Sequence, residues 1–552
     1  MQTHGALAPD SRMRPERDWL LFTFALACLL PAIGSQSSIS GQDEYWLSFR
    51  TVLEMQERGE WLTPYVNGEV RLQKPPLLYW AIRALFELFG ASVFVARIPT
   101  VVAGAAFAVA AAKIARCFSY SGTAVGLMVI ATAGVAVESR RAMFDLPVAC
   151  LSSWAILWGI RWVRGGSLAA MLTAAGFLAA AAMTKGPVAM WFLLAPIVAA
   201  LLARRWRPVG SWMHVVVGLV VFGALALPWP LWVQQAHPKF WNVMAEQAEH
   251  REFGLAGLLS LPKIAGAALG LLVPWSIAFL GATIATVRGR HPQQGVAKWL
   301  LTWFLVGLVP FALMSSFERY VLALLVPMGL LTQSWMASLL LRHLRAHLIV
   351  AASLLALPTV VFGSFVAWFG FSYVAPAIAF VMVWVTLRGA VDATPSLRRF
   401  AIHASLSFVA LLGLVYPAIG INALPEALPA EMQTSRVGTW GRPQPGMLSI
   451  ELGRSVKQVN RSDSDLGAFE GVLLTLEEEA ADVAARCAAT GKSCEQIAAF
   501  PSFYSRRAWL RFFKEGIGWP EWKRALVARD PGPLMPRFVA LRVGPPTREA
   551  NR

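Results

Sequence analysis

Apolar runs of close to 20 residues recur along this chain, and no other feature limits its fold as strongly. They lie near 19–34, 91–112, 122–138, 146–163, 167–183, 187–203, 212–232, 259–287, 297–315, 320–341, 347–369, 371–387 and 399–419. About 20 apolar residues in a helix cross the hydrocarbon core of a bilayer, which gives about 13 spans. Backbone groups in that core must bond one another, so the runs are read as helices. Composition agrees: 15% of residues are charged, against about 25% in an average soluble chain. Twenty-three Trp and 31 Phe against 8 Tyr suit lipid-facing and interfacial surfaces. The expectation is a polytopic, all-α membrane domain.

Basic residues in the short loops assign the sides. Arg12/Arg14/Arg17, Lys113/Arg116, Arg161/Arg164, Arg204/Arg205/Arg207, Arg288/Arg290, Arg342/Arg345 and Arg388/Arg398/Arg399 fall on one face through the alternation of spans. That face reads as cytoplasmic. The same loops account for the net charge of +17 without nucleic acid, for which the chain shows no motif. The basic stretch before Trp19 and the lack of an A-x-A-like site predict a retained first helix with a cytoplasmic start. The opposite face receives the loops 35–90 and 233–258, several short loops and everything after about residue 420. It carries Arg140, Arg141, Lys185, Arg251 and Arg319 against the charge gradient. Such residues at membrane depth are costly and usually functional, and their repetition on one face suggests a single anionic site.

Within the first outer loop, "EYWLSFRTVLEMQERG" and "PPLLYWAIRALFELFG" have helical apolar spacing and end in Gly. They read as amphipathic helices at the interface; the loop 233–258 offers a third. The division predicted is a cytoplasmic N-terminus (1–18), a membrane domain (19–420) and a small α/β domain (421–552). In the last, "MLSIELG", "GVLLTLEEE" and "RFVALRVG" read as strands, while "EEEAADVAARCAATG" and "PEWKRALVARD" read as helices. Cys487 and Cys494 would then face an oxidising compartment; the residues alone leave open whether they pair. Cys28, Cys117 and Cys150 lie in or beside apolar runs as inert thiols.

"GQDEYW" puts Asp43 and Glu44 where the chain leaves its first span, and "GEWLTPYVNGEVRLQKPPLLYW" follows. "ARIPT" at 96–100, "SRRAMFDLP" at 139–147, "MTKGPVA" at 183–189, "LPWPLWV" with "AEHREF", and "LVPWS" at 272–276 come later in order. Together these resemble the GT-C glycosyltransferases that use lipid-linked sugars. Within them they resemble the 4-amino-4-deoxy-L-arabinose lipid A transferase family, over about residues 20–340. Two departures stand out: Gln73 where the family often has Glu before the Lys, and "SSFERYVLALLVP" in place of a Lys-Leu-Pro-x-Tyr stretch. The resemblance implies a GT-C membrane domain in the bacterial inner membrane with a periplasmic C-terminal domain. It implies an undecaprenyl-phosphate-linked sugar as donor and lipid A as acceptor, with membrane lipid around it. No obligatory protein partner is evident.

The chemistry asks for cations against the charge developing on a phosphate leaving group. It asks for a base if the acceptor is a hydroxyl, and for little base if it is a phosphate. Asp43 and Asp145 are the expected catalytic carboxylates; each also suits a helix N-terminus. Lys74, stiffened by Pro75-Pro76, with Arg251, Arg319 and Tyr320, would hold the donor phosphate. Lys185 and Tyr79 would touch substrate, although Lys185 could equally pair with a carboxylate. A divalent metal, Zn or Mg/Mn, held by Glu44 and His250 is a weaker expectation, since no metal-ligand spacing is present. Arg97, Arg140 and Arg141 read as structural partners of the carboxylates. A transferase with another sugar or acceptor, such as a protein O-mannosyltransferase, is the near alternative. A lipid or solute transporter is the distant one, disfavoured because no internal repeat is evident.

Overall fold

The computed structural model describes residues 17–36, 44–204, 207–249, 259–314, 316–425, 428–441, 448–504 and 512–545. Every apolar run named above is helical, and the chain is a multi-pass membrane protein. Among the described residues eight helices have both the length and the hydropathy to cross a bilayer unaided, or nine counting one bent pair. The count of about 13 included pieces that are shorter or broken. Asp18–Leu29 and Val188–Leu202 are short apolar helices. The run 122–138 splits into Gly122–Ile130 and Ala133–Glu138, where Thr132 caps the second piece by accepting from the Val135 N–H. The run 259–287 bends by 117° between Leu261–Leu272 and Ser276–Val287.

The loop after the first helix folds as expected. A helix runs from Tyr45 through Phe49 and on over Arg50–Glu57, and a second spans Leu77–Phe89. Gly59 (φ 70°) and Gly90 (φ 81°) follow them with left-handed backbone, which glycine adopts without steric cost. Between them Asn67-Gly68 turns a short hairpin, β1 (Tyr65–Val66) against β2 (Glu69–Val70). Both turn residues have positive φ, 57° and 87°, as tight hairpin turns demand. In the second long loop, helix Phe240–Glu249 supplies the third amphipathic element. Its Phe240 packs with Leu72, Met183, Trp229 and Val233, which draws the Lys74 segment toward the end of the Lys185 helix.

The C-terminal region carries a five-stranded mixed sheet: β3 (Val437–Trp440), β4 (Lys457–Val459), β5 (Gly471–Leu476), β6 (Ser493–Pro501) and β7 (Arg537–Gly544). Their order is β4-β3-β5-β7-β6, with β3 parallel to both neighbours and β7 antiparallel to β5 and β6. Helices Glu477–Ala489 and Trp519–Ala528 stand where the sequence placed them. "MLSIELG" does not form a strand. Leu448–Glu451 is a single helical turn, with Leu448 and Ser449 buried and Gly453 left-handed (φ 62°) behind it. Tyr45 of the membrane domain bonds Ser449 there, and tertiary contacts override alternation in so short a segment. Cys487 and Cys494 are joined in a disulfide.

Further contacts hold this domain to the membrane part. Asn67 grips the edge strand β4: its Nδ2 donates to Gln458 O (3.2 Å) and its Oδ1 accepts from Gln458 N (2.9 Å). The Ser455 N–H donates to Glu57 (2.6 Å). Phe365, Phe369 and Phe371 meet Phe503, Phe512 and Phe513 in one aromatic cluster at the end of the Leu341–Trp368 span.

Candidate active site

Two buried carboxylates organise the face that carries the C-terminal domain. Asp145 opens the helix Asp145–Gly165, at the positive end of its dipole. Lys185 closes the helix Leu168–Lys185, which stops because Gly186 (φ 77°) turns the chain and Pro187 begins the next helix. The Lys185 ammonium bonds Asp145 Oδ1, and the Arg319 guanidinium lies 3.1 Å from Oδ2. Arg319 Nε sits at ion-pair distance from that oxygen but is not aligned as a hydrogen bond. All three side chains are at most 7% exposed. Tyr320, beside Arg319, offers its ring to Lys185, with Nζ 3.7 Å from the centroid. The Lys74 charge reaches the same carboxylate. Lys74 precedes Pro75, which disfavours helical backbone at it, and the Leu77–Phe89 helix begins just beyond Pro76.

The second carboxylate has a different task. Glu44, fully buried, holds fully buried Arg97 in a two-pronged pair: Nε to Oε1 at 2.7 Å and Nη2 to Oε2 at 2.9 Å. Its Oε1 also accepts from the Ala142 N–H (2.7 Å), and Arg97 Nη1 donates to Ile33 O (2.8 Å) and Ser35 O (3.0 Å). Glu44 therefore ties the exit of the first helix to the span containing Arg97 and to the loop leading into Asp145. With both oxygens so occupied it does not suit the metal site expected of it. Its proposed co-ligand His250, like Asp43 and Arg251, lies outside the described residues. Among the described residues no group of three His, Cys, Asp or Glu side chains is placed to hold a metal.

Of the remaining expectations, Tyr79 is a support and not a free substrate contact. It is fully buried, its ring stands edge-on to Phe144 at 5.2 Å, and its hydroxyl accepts from Arg71 Nε (3.2 Å). Lys185 is brought to Asp145, the pairing that the sequence left as its other option. Arg140 spends its guanidinium on Ala136 O (2.6 Å) and Cys28 O (3.0 Å), and Arg141 pairs with Glu138 (3.1 Å). Glu138 is the residue the sequence reading missed. It is buried, its Oε2 has no hydrogen-bond partner among the described residues, and it stands in the field of Arg319 and Asp145. A carboxylate at the end of an apolar run was the available signal, hidden by the two arginines that follow it.

Next to this cluster runs an apolar cleft of about 290 Å³ lined by Leu78, Pro99, Ala103, Trp154 and Phe177. Thr184 and Pro147 also line it, so the cleft adjoins the ends of the helices that carry Lys185 and Asp145. An apolar cleft adjoining a cation-rich cluster suits a lipid with an anionic headgroup.

A helical membrane domain, amphipathic helices in its first long loop, a charged site beneath them and a small α/β domain beside it are the architecture of the GT-C membrane glycosyltransferases. The chain has that fold. Residues 73–232 match the family model described as dolichyl-phosphate-mannose-protein mannosyltransferase. Among curated proteins the chain is similar to the undecaprenyl phosphate-alpha-4-amino-4-deoxy-L-arabinose arabinosyl transferases of Pseudomonas paraeruginosa and Yersinia pestis. Identity to the first is 28% over 350 residues, 58% of this chain and 59% of that protein; to the second it is 27% over 344 residues, 57% and 58%. The chain thus spans about three fifths of the length of the curated relatives it matches. Its structure is similar to the crystal structures of ArnT from Cupriavidus metallidurans, bound to undecaprenyl phosphate and apo. Both have a TM-score of 0.68 and cover 95% of this chain and 97% of that one, at 19% and 20% identity.

Proposed function

We propose that this chain is a glycosyltransferase of the bacterial inner membrane that moves 4-amino-4-deoxy-L-arabinose from undecaprenyl phosphate to a phosphate of lipid A. The N-terminus would be cytoplasmic, and the reaction and the C-terminal domain periplasmic. The observation that carries the reading is the pair of cations, Lys185 and Arg319, on Asp145, with Lys74 in electrostatic reach, beside an apolar cleft. The similarity to the curated arabinosyl transferases supports the sugar and its carrier; lipid A as acceptor follows from the resemblance of the motifs.

In this reading the polyprenyl tail lies in the cleft and the donor phosphate meets the cations. An oxygen of the acceptor phosphate attacks the sugar's anomeric carbon, whose bond to the donor phosphate oxygen breaks. The electron pair leaves on the polyprenyl phosphate, and Lys74 with Arg319 stabilises that growing charge. The acceptor oxygen is already anionic, so no strong base is required. Asp43 is assigned the task of orienting the amino sugar, on the resemblance of its segment. Asp145 holds Lys185 and Arg319 in place until phosphate arrives. Capping a lipid A phosphate with an amino sugar lowers surface negative charge, which would give resistance to polymyxin and other cationic peptides. The match of residues 73–232 to a mannosyltransferase family model favours one second reading, transfer of a different sugar to a protein hydroxyl. There Asp43 would act as base.

Mass spectrometry of lipid A from cells with and without the gene tests the proposal, with Asp43→Asn and Lys74→Ala chains at wild-type membrane levels alongside. Aminoarabinose on lipid A that depends on the gene and is lost in both variants is expected. Unchanged lipid A with altered protein glycosylation would transfer support to the second reading. Full modification by both variants would overturn the site.

A further inference from the structure

One helix of the C-terminal domain turns an apolar stripe outward. In Trp519–Ala528, Ala525 is fully buried, and Trp522 packs inward with its ring 5.0 Å from that of Phe513. On the other side Trp519 is 70% and Val527 78% exposed. Trp519, Lys523 and Val527 are four residues apart in turn and so share one face. Two large apolar side chains that exposed, with a cation between them, are out of place on a surface meant for water alone.

The depth of this helix is marked by its partners. Trp368 is the last residue of the 28-residue span Leu341–Trp368, and its Nε1 donates to Leu526 O at 3.1 Å. Arg529, left-handed at the helix end (φ 53°), lies 4.8 Å from the centre of the Trp368 ring. Phe365, about one turn deeper in the span, is 5.8 Å from Phe513. The helix is thus level with the last turn of a membrane span. Trp368 is exposed, as are Tyr373 and Val374 just beyond it, and Leu357, Val360 and Val361 on the same span are exposed large apolar residues.

We propose that this helix is a membrane-surface anchor, lying in the polar–apolar boundary of the bilayer with Trp519 and Val527 against lipid and Lys523 at the headgroup phosphates. Aromatic residues collect at that boundary, amphipathic helices lie along it with cations on their flank, and a lysine stem can bury while its ammonium stays wet. The C-terminal domain would then be held by the bilayer as well as by its protein seams.

Spin labelling tests this in the full chain. Cys28, Cys117 and Cys150 are replaced by Ala, Cys487 and Cys494 stay in their disulfide, and single cysteines are introduced as Val527→Cys, Asp482→Cys and Leu219→Cys. Asp482 is exposed on the Glu477–Ala489 helix of the same domain, and Leu219 is 63% exposed on a membrane helix. In nanodiscs, the ratio of collisions with oxygen to collisions with a water-soluble nickel chelate should be several-fold higher at 527 than at 482, approaching that at 219. A ratio at 527 equal to that at 482, with 219 reading as lipid, would overturn the anchor. So would dipolar broadening at 527 that vanishes on dilution with unlabelled chain, since a second copy would then cover the face.

Discussion

Lys185 closes one membrane helix, Asp145 opens another, and their side chains meet as a buried ion pair. A helix end presents unpaired backbone groups and a partial charge, negative at the end bearing Lys185 and positive at the end bearing Asp145. The pair therefore joins each charged group to a dipole of the favourable sign and to its counterion. Arg319 adds a second cation to the same carboxylate, which leaves the cluster with net positive charge for an incoming phosphate.

Asp145→Asn removes the carboxylate that Lys185 and Arg319 share. Breaking a buried pair on one side costs about 3–5 kcal/mol, so the variant should melt at a lower temperature and lose transfer. The double variant Asp145→Asn with Lys185→Met removes the stranded ammonium and should recover much of the stability. Transfer should stay lost if the cluster handles phosphate. Thermal unfolding in detergent and turnover on the same preparations separate the two roles. Recovery of both together would reduce the cluster to packing.

Glu44 and Arg97 should behave as structure and not as a metal site. Glu44→Gln strands the fully buried Arg97, again with a loss of about 3–5 kcal/mol, whereas Arg97→Met with Glu44→Gln should restore part of it. A chelator should leave the melting temperature of the wild-type chain unchanged. A chelator-induced drop reversed by a divalent ion, and absent in Glu44→Gln, would put a metal back on this carboxylate.

How far the sequence could be read follows from what each feature depends on. Spans, interfacial helices and the face bearing the charges were legible because bilayer thickness and the cost of charge in lipid act on a chain locally. Lys185 and Arg319 stood out for the same reason, whereas Asp145 and Lys74 were singled out by the resemblance of their segments. Their pairings were hidden, since Lys185 could serve substrate or carboxylate until the fold brought two helix ends together. The pairing of Glu44 was not legible because its partner Arg97 lies beyond a long loop. Strands β3, β4 and β6 escaped notice because short, wholly buried or edge strands lack alternation, and the opposite error at Leu448–Glu451 has the same root.

Asn67 should couple the C-terminal domain to the loop that holds Lys74. Its side chain makes two hydrogen bonds with Gln458, while Glu54 accepts from the Asn67 N–H (2.6 Å) and the Gly68 N–H (2.8 Å) beneath. Asn67→Gly keeps the positive φ and removes only the side-chain bonds, each worth about 0.5–1.5 kcal/mol. Global stability should fall little. Hydrogen exchange should quicken in β1, β2 and β4 together, and the KM for donor should rise more than kcat changes. Faster exchange confined to the hairpin, with kinetics untouched, would show that the seam does not position the loop.

Glu521 should make the first turn of the Trp519–Ala528 helix sensitive to acid. The Gly518 N–H donates to its carboxylate (2.9 Å) and Arg524 pairs with it (3.0 Å). The bond from Gly518 comes first among the causes that hold its pKa below the usual glutamate value. A carboxyl with a depressed folded pKa contributes stability that is complete above the unfolded value, about 4.3, and is lost as pH falls through the folded one. Amide exchange at 518–522, corrected for intrinsic rates, should therefore quicken between pH 5 and the folded pKa and be flat above about pH 5. Glu521→Gln should exchange faster at neutral pH and lose that acid dependence. An unchanged profile in Glu521→Gln would assign the cap to Pro520 and the tertiary contacts of Trp522 instead.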